Sequence, residues 1–426
     1  MARLAAGRLV SEIGSRITRE GLPVAAILAA SATTTELGLL AALSMLPALV
    51  LGTSAGLMVD RRRRRPLMIA ADVGRALCLV TIPVAAVLGR LGFAQIAIVT
   101  TLVSAITVLF QVADRAYLPS LAGRRHIAEA NSVLAGADGV GESLGPVLMG
   151  VLVQALGVPA AILGDAISYV VSAISLVAIR RPEPLPATGG PEPVNRPAPA
   201  LLDGLRAVGR HDVLRPLAGL IATTSLFGGF FAALYEFYVL RTLHLTPAAL
   251  GLLITCGGVG SLVGAAACAR VTRRFGLGPT LLATFSVSAV ATALVPAAPA
   301  SFAPAFACLF GAQFGGDLFA TIFAIASATL EQSVTPSAWL GRVEGAIQTL
   351  GGGLGVIGAL AAGLLGAAMG PRDAFWLAAA GNLAATAWLL SPRLRTVGRE
   401  AADVPDWTTT VASVPVGRGE PPAACR

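Results

Sequence analysis

Apolar stretches of about 20 residues follow one another from end to end of the chain, separated by short polar gaps. A helix needs roughly 20 mostly apolar residues to cross a bilayer core, and inside that core each backbone polar group must be satisfied within its own segment. The pattern predicts spans near 10–32, 37–58, 67–89, 92–113, 133–156 and 159–179, then near 214–240, 247–270, 278–297, 303–328, 343–368 and 373–391. The expected fold class is an all-α membrane protein with twelve transmembrane helices in two pseudo-symmetric six-helix bundles.

The gaps alternate in charge. One set holds Arg3 and Arg8, Arg61 to Arg65, Arg124 and Arg125, the 180–215 segment, Arg270, Arg273 and Arg274, Arg342, and the tail. The other set holds little beyond Arg90, Arg241 and Arg372. By the positive-inside rule the arginine-rich gaps are cytoplasmic, which places both termini inside and requires an even number of spans. The expected location is the cytoplasmic (inner) cell membrane, multi-pass. The segment 22–28 with Ala30-Ser31-Ala32 imitates a secretory leader, but Glu12, Arg16, Arg19 and Glu20 before it do not suit one, and cleavage would leave an odd number of spans.

Composition agrees with the pattern: 55% of residues are hydrophobic and 13% charged. A net charge of +8 would suggest nucleic acid in a soluble protein. Here the arginines sit in loops, where topology and anionic headgroups account for them, so no nucleic-acid partner is expected. Every basic residue is arginine. Cys78, Cys256, Cys268, Cys308 and Cys425 show no metal-ligand spacing, and His126, His211 and His244 all fall in gaps, so no metal or disulfide framework is expected.

The longest polar interruption between spans, residues 180–200, is too rich in proline and glycine for a packed domain. The expected domains are an N-terminal six-helix bundle at 1–179, a cytoplasmic linker at 180–212 whose last part, 201–212, is a surface amphipathic piece, a C-terminal bundle at 213–392, and a polar, disordered tail at 393–426. Two such bundles can rock about a central cavity.

Residues 56–65 read Gly-Leu-Met-Val-Asp-Arg-Arg-Arg-Arg-Arg. This is similar to the Gly-x-x-x-Asp-Arg-x-Gly-Arg-Arg signature of the major facilitator superfamily, with Arg63 in place of the second glycine. The resemblance continues in 113–121, in Ala128-Glu129-Ala130-Asn131, in Gly141 with Gly145-Pro146, in 164–173, and in 332–336 followed by Leu340-Gly341-Arg342-Val343. That order resembles the drug- and siderophore-exporting branch and covers about residues 8–392. It implies a secondary active exporter working by alternating access, coupled to protons, with no cofactor, and expected to act as a monomer in the lipid bilayer. An importer or lipid-moving member of the same superfamily, or a non-transporting scaffold or sensor, are the alternatives. Few aromatics and few intramembrane charges hint at an apolar or amphipathic small molecule.

The resemblance assigns gating to Gly56, Asp60, Arg61, Arg64 and Arg65, with Asp72 and Arg75 joining that network. In the antiporter-like element Gly141, Gly145 and Pro146 form a helix kink. Ionisable residues inside a bilayer face water or a partner, so Arg19, Glu20, Asp138, Glu142, Asp165, Glu236 and Asp317 are candidate coupling or substrate-binding groups. Asp138 and Glu142, four apart, share one helix face, and Arg19 is the expected counter-charge to them. Gly52-Thr-Ser54-Ala-Gly56 fits a serine-hydrolase elbow, but no histidine base lies in any span. Gly353-Leu-Gly355-Val-Ile-Gly358 fits a dinucleotide fingerprint without the strand that should precede it. No enzyme is expected.

Overall fold

The computed structural model describes residues 2–60, 62–122, 127–178 and 197–391. Each predicted span has a helical counterpart. The N-terminal set is α1 (Ala2–Leu28), α2 (Thr34–Asp60), α3 (Arg64–Val87), α4 (Phe93–Ala122), α5 (Ile127–Leu156) and α6 (Val158–Val177). Helix α7 (Pro197–Arg210) is the expected amphipathic piece. It buries Ala207 and Val208 and lays Gly204 against the Arg342 carbonyl. The C-terminal set is α8 (Leu214–Thr242), α9 (Pro247–Phe275), α10 (Leu277–Ala297), α11 (Phe302–Val334), α12 (Leu340–Met369) and α13 (Pro371–Leu389). Residues 180–196 of the expected 180–212 linker, and the tail 393–426, lie outside the described residues.

Ten of the described helices are long and apolar enough to cross a membrane. The other two of the twelve are α1, which carries Arg8, Glu12, Arg16, Arg19 and Glu20, and α13, which opens on Arg372 and Asp373. Exposed apolar side chains such as Leu77, Val84, Ile98, Ile174 and Leu364 form the outer surface that hydrocarbon would cover. Short junctions rest on local chemistry. Gly157, Gly276 and Gly370 take φ of 83°, 82° and 91° between consecutive helices, a region that admits glycine without a Cβ penalty. Before α9, the Thr246 hydroxyl accepts from the Ala249 N–H at 3.2 Å ahead of Pro247.

The two sets repeat each other. In the first, α1 packs on α5 and α6, α3 on α4 and α6, and α2 on α4. In the second, α8 packs on α12 and α13, α10 on α11 and α13, and α9 on α11. Between the sets, the second helix of each meets the fifth of the other, α2 against α12 and α9 against α5. This is a pseudo-twofold arrangement of two six-helix bundles.

Small residues make those crossings close. Gly355, Gly358, Gly363 and Gly366 run down α12, with Gly358 at the Leu226 carbonyl of α8 and Gly363 at Thr34 and Gly38 of α2. On the other side Gly150 meets Pro247, and Gly251 meets the Pro146 carbonyl. Of the apparent dinucleotide fingerprint, Gly355 and Gly358 thus serve packing, while Gly353 meets open space among the described residues.

The core differs between the ends of the molecule. Toward the arginine-poor end one apolar cluster joins both bundles, from Val24–Ile27 and Val153 to Phe230–Leu245 and Phe375. Toward the arginine-rich end each bundle closes on itself. Val59, Met68, Tyr117 and Leu176 form one core, and Leu214, Phe285, Leu330 and Leu389 another. The bundles are joined at one end and parted at the other.

Candidate functional site

A cavity of roughly 580 Å³ lies between the bundles. Its lining has two characters. Helix α2 gives an apolar wall of Leu37, Leu40, Ala41, Met45 and Ala48, joined by Ala232 and Ala233 of α8. Facing it, α1, α4 and α6 give hydroxyls and charges, among them Ser11, Ser15, Thr107, Gln111 and Ser172. The sequence hinted at an apolar ligand because aromatics and charges are few overall; the structure gathers those few charges onto one wall.

Most of the charge belongs to α1. Arg8, Glu12 and Arg16 recur every four residues and so share one helix face. Arg8 pairs with Asp114 of α4, and its guanidinium also donates to Asp138 of α5 at 3.1 Å. Arg16 pairs with Glu12 at 3.3 Å and with Glu142 of α5 at 3.1 Å. The expected partnership of α1 with the Asp138–Glu142 face therefore forms, through Arg8 and Arg16 rather than Arg19. The same spacing in α1 was the signal that could have shown it. Gly141 and Gly145 lie on that seam. A Cβ at Gly145 would overlap the Arg16 Cβ, and one at Gly141 would press on Glu12.

Pro146 removes a donor from the α5 ladder, as proline must in a helix interior. The nearby Ser143 carbonyl accepts the Thr255 hydroxyl of α9 at 2.8 Å, so a polar tie between bundles sits beside the proline.

Arg19 pairs with Glu20 at 3.2 Å, and both line the cavity. Glu236 of α8 also lines it, feels the like charge of Glu20 and the opposite charge of Arg19, and makes no ion pair among the described residues. Asp317 of α11 stands at Gly257 of α9, outside the lining, within the field of Glu142. It follows a π-helical turn, Gly311–Gly315, and a second such turn, Tyr238–Thr242, follows Glu236. Turns of this kind recur at functional sites. Asp165 of α6 is fully buried behind the cavity and accepts from the Ser168 hydroxyl at 2.8 Å.

Of the residues assigned to gating, the Asp60 side chain and Arg61 lie outside the described residues. Gly56 meets open space among the described residues, so in this state it marks no close helix contact. Arg65 donates to the Leu176 and Val177 carbonyls at 2.9 and 2.8 Å, satisfying the last turn of α6, where a cation also suits the helix dipole. Arg64 is half-buried. Asp72 and Arg75 are buried and pair with each other. The Arg75 guanidinium lies between the Phe110 and Tyr169 rings, 4.3 and 4.1 Å from their centroids.

At the arginine-poor end the sparse arginines bind backbone. Arg241 of α8 donates to the Ile27 carbonyl of α1 at 2.8 Å, tying one bundle to the other. Arg372 donates to the Ala298 carbonyl at 2.7 Å and to the Tyr238 hydroxyl at 3.1 Å. The sequence marked both only as exceptions to a charge pattern.

A polar and apolar cavity between two pseudo-symmetric bundles, sealed at one end, is the architecture of a membrane transporter. The family model of the Major Facilitator Superfamily matches residues 9–351, and the chain belongs to that superfamily. It is a transporter, not an enzyme. It is 26% identical over 340 residues to the multidrug efflux pump Tap of Mycolicibacterium fortuitum, across 78% of this chain and 80% of that protein. It is 27% identical over 218 residues to the uncharacterized MFS-type transporter YfiS of Bacillus subtilis (strain 168); that match spans about half of each chain, 51%. Among solved structures, a bacterial homologue of the iron transporter ferroportin in an inward-facing state is similar in fold, with a TM-score of 0.71, 17% identity, and coverage of 93% of this chain and 98% of that one.

Proposed function

We propose that the protein is a proton-coupled exporter of small amphipathic compounds, drugs, antibiotics or siderophores among them, working by alternating access in the inner cell membrane. The observation that carries this reading is the cavity itself: an apolar α2 wall faces a polar α1 wall, and Glu236 stands there with no ion pair among the described residues. An amphipathic solute can lay its apolar body on Leu37, Leu40 and Met45 and its polar part toward Glu20 and Glu236. The similarity to an efflux pump supports the outward direction. In this reading the bundles are 1–179 and 213–392, the 180–212 linker and 393–426 tail are cytoplasmic, and the parted, arginine-rich end faces the cytoplasm. Asp60 and its arginines hold that end shut in the opposite state, and the chain works as a monomer.

The test is flux in proteoliposomes over a panel of lipophilic cations, macrolides and siderophores, with and without an imposed proton gradient. Gradient-dependent movement of at least one compound is expected. Binding of panel compounds without flux would favour the scaffold or sensor; uptake toward the arginine-rich side would favour the importer.

A further inference from the structure

The cavity carries an imbalance of charge that narrows the class of solute it can take. Four arginines line it, and each is already met by a carboxylate. Arg8 pairs with Asp114 and Asp138, Arg16 with Glu12 and Glu142, Arg19 with Glu20, and Arg75 with Asp72. Arg8 and Arg16 thus carry two acids apiece, and the wall is negative on balance. Glu236 adds to that excess. It lines the cavity from α8, is 8% exposed and makes no ion pair among the described residues. Its own backbone N–H reaches its carboxylate, and no side-chain donor does so among the described residues. The like charge of Glu20 acts on it more strongly than the opposite charge of Arg19. A carboxylate this buried is costly to leave without a counter-ion.

A cation can be held by a carboxylate or by the face of an aromatic ring. The aromatic residues of the lining are Phe110 and Tyr169, and both are already engaged by the Arg75 guanidinium, 4.3 and 4.1 Å from their centroids. The Glu236 carboxylate is what remains for a positive ligand. One turn earlier on the same face of α8, Ala232 and Ala233 line the cavity with small apolar side chains. A carboxylate gains a charge-assisted hydrogen bond from an ammonium that bears an N–H, and a fully alkylated nitrogen offers none.

We propose that the cavity selects amphipathic amines carrying one positive charge on an N–H nitrogen, over quaternary ammonium ions, neutral analogues and acids, and that Glu236 makes the selection. The ammonium donates to Glu236 in the field of Glu20, and its apolar body lies on Leu37, Leu40 and Met45 of α2. Of the compounds proposed above, the basic ones are favoured over the acidic. This rests on the reading of the cavity as the substrate site and does not depend on the direction of transport or on the coupling ion.

The experiment is calorimetric titration of the purified full chain in detergent, at a pH where the free amine is protonated. Four probes share a naphthylpropyl body and end in a dimethylamine, a trimethylammonium, a hydroxyl or a carboxylate. The dimethylamine should bind about tenfold more tightly than the other three, the scale of one hydrogen bond to a charged group. Glu236→Gln should bring it down to the level of the alcohol, whose own affinity stays unchanged, and Glu236→Asp, which keeps the carboxylate, should keep the order. A trimethylammonium that binds as well as the amine overturns the proposal, as does a carboxylate probe that binds best or an amine preference that survives Glu236→Gln. Binding in such a wrong order overturns this selectivity alone, whereas failure of all four probes to bind overturns it together with the reading of the cavity as the substrate site.

Discussion

The two bundles share a packing plan and differ in chemistry. Every major helix contact within α1–α6 has its counterpart within α8–α13. Yet the charged lining of the cavity comes from α1, α3 and α4, and the C-terminal bundle adds a single charge, Glu236. Symmetry of the fold therefore constrains the backbone but not the side chains. The N-terminal bundle supplies both the polar wall of α1, α4 and α6 and the apolar wall of α2, while the other adds Ala232, Ala233, a lone carboxylate and the small-residue surfaces of α12 on which the bundles meet.

Glu236→Gln breaks this division most directly. If the lone C-terminal charge is the coupling group, gradient-driven flux should fall by about two orders of magnitude, the scale of a lost charged contact in a buried site. Protein level and unfolding midpoint should hold. Undiminished flux would assign the chemistry to the N-terminal bundle alone.

Packing offers the complementary test. Gly145→Leu on the α5–α1 seam and Gly358→Leu on the α12–α8 seam occupy equivalent positions in the repeated contact plan. Overpacking of this kind costs about 1–3 kcal/mol or more. Both substitutions should lower the unfolding midpoint to a similar degree, and a large difference between them would mean that the packing is less symmetric than the contacts indicate.

Arg241→Gln should have the smallest effect. One backbone tie between bundles is worth about 1 kcal/mol, with charge adding to it. Cysteines introduced at the arginine-poor end should become a few-fold more reactive toward a water-soluble thiol reagent. No change would mean the shared apolar core closes that end unaided.

The fold was legible because hydropathy registers each span independently and loop arginines register alternation; the twelve helices and the amphipathic α7 follow from these signals. Partner choice was less legible, since it depends on the rotation of each helix about its axis. Arg16, not Arg19, reaches Glu142 because residues 8, 12 and 16 form the face of α1 that meets Gly141 and Gly145. Asp72 and Arg75 lie close in sequence to the arginine run, but three-residue spacing turns them toward each other and the rings of Phe110 and Tyr169 enclose them. The shared core at one end and separate cores at the other leave no trace in a one-dimensional pattern, because both use the same apolar residue types.

The acceptor for Arg241 is a main-chain oxygen. No replacement at position 27 short of rebuilding the turn can abolish it, so the tie tolerates drift on one side and is exposed to loss on the other. Its place at a helix end also means that, when the bundles separate there, water can take over the carbonyl at once. Such a fastener holds without becoming a kinetic trap, which suits a machine that must open and close on every cycle.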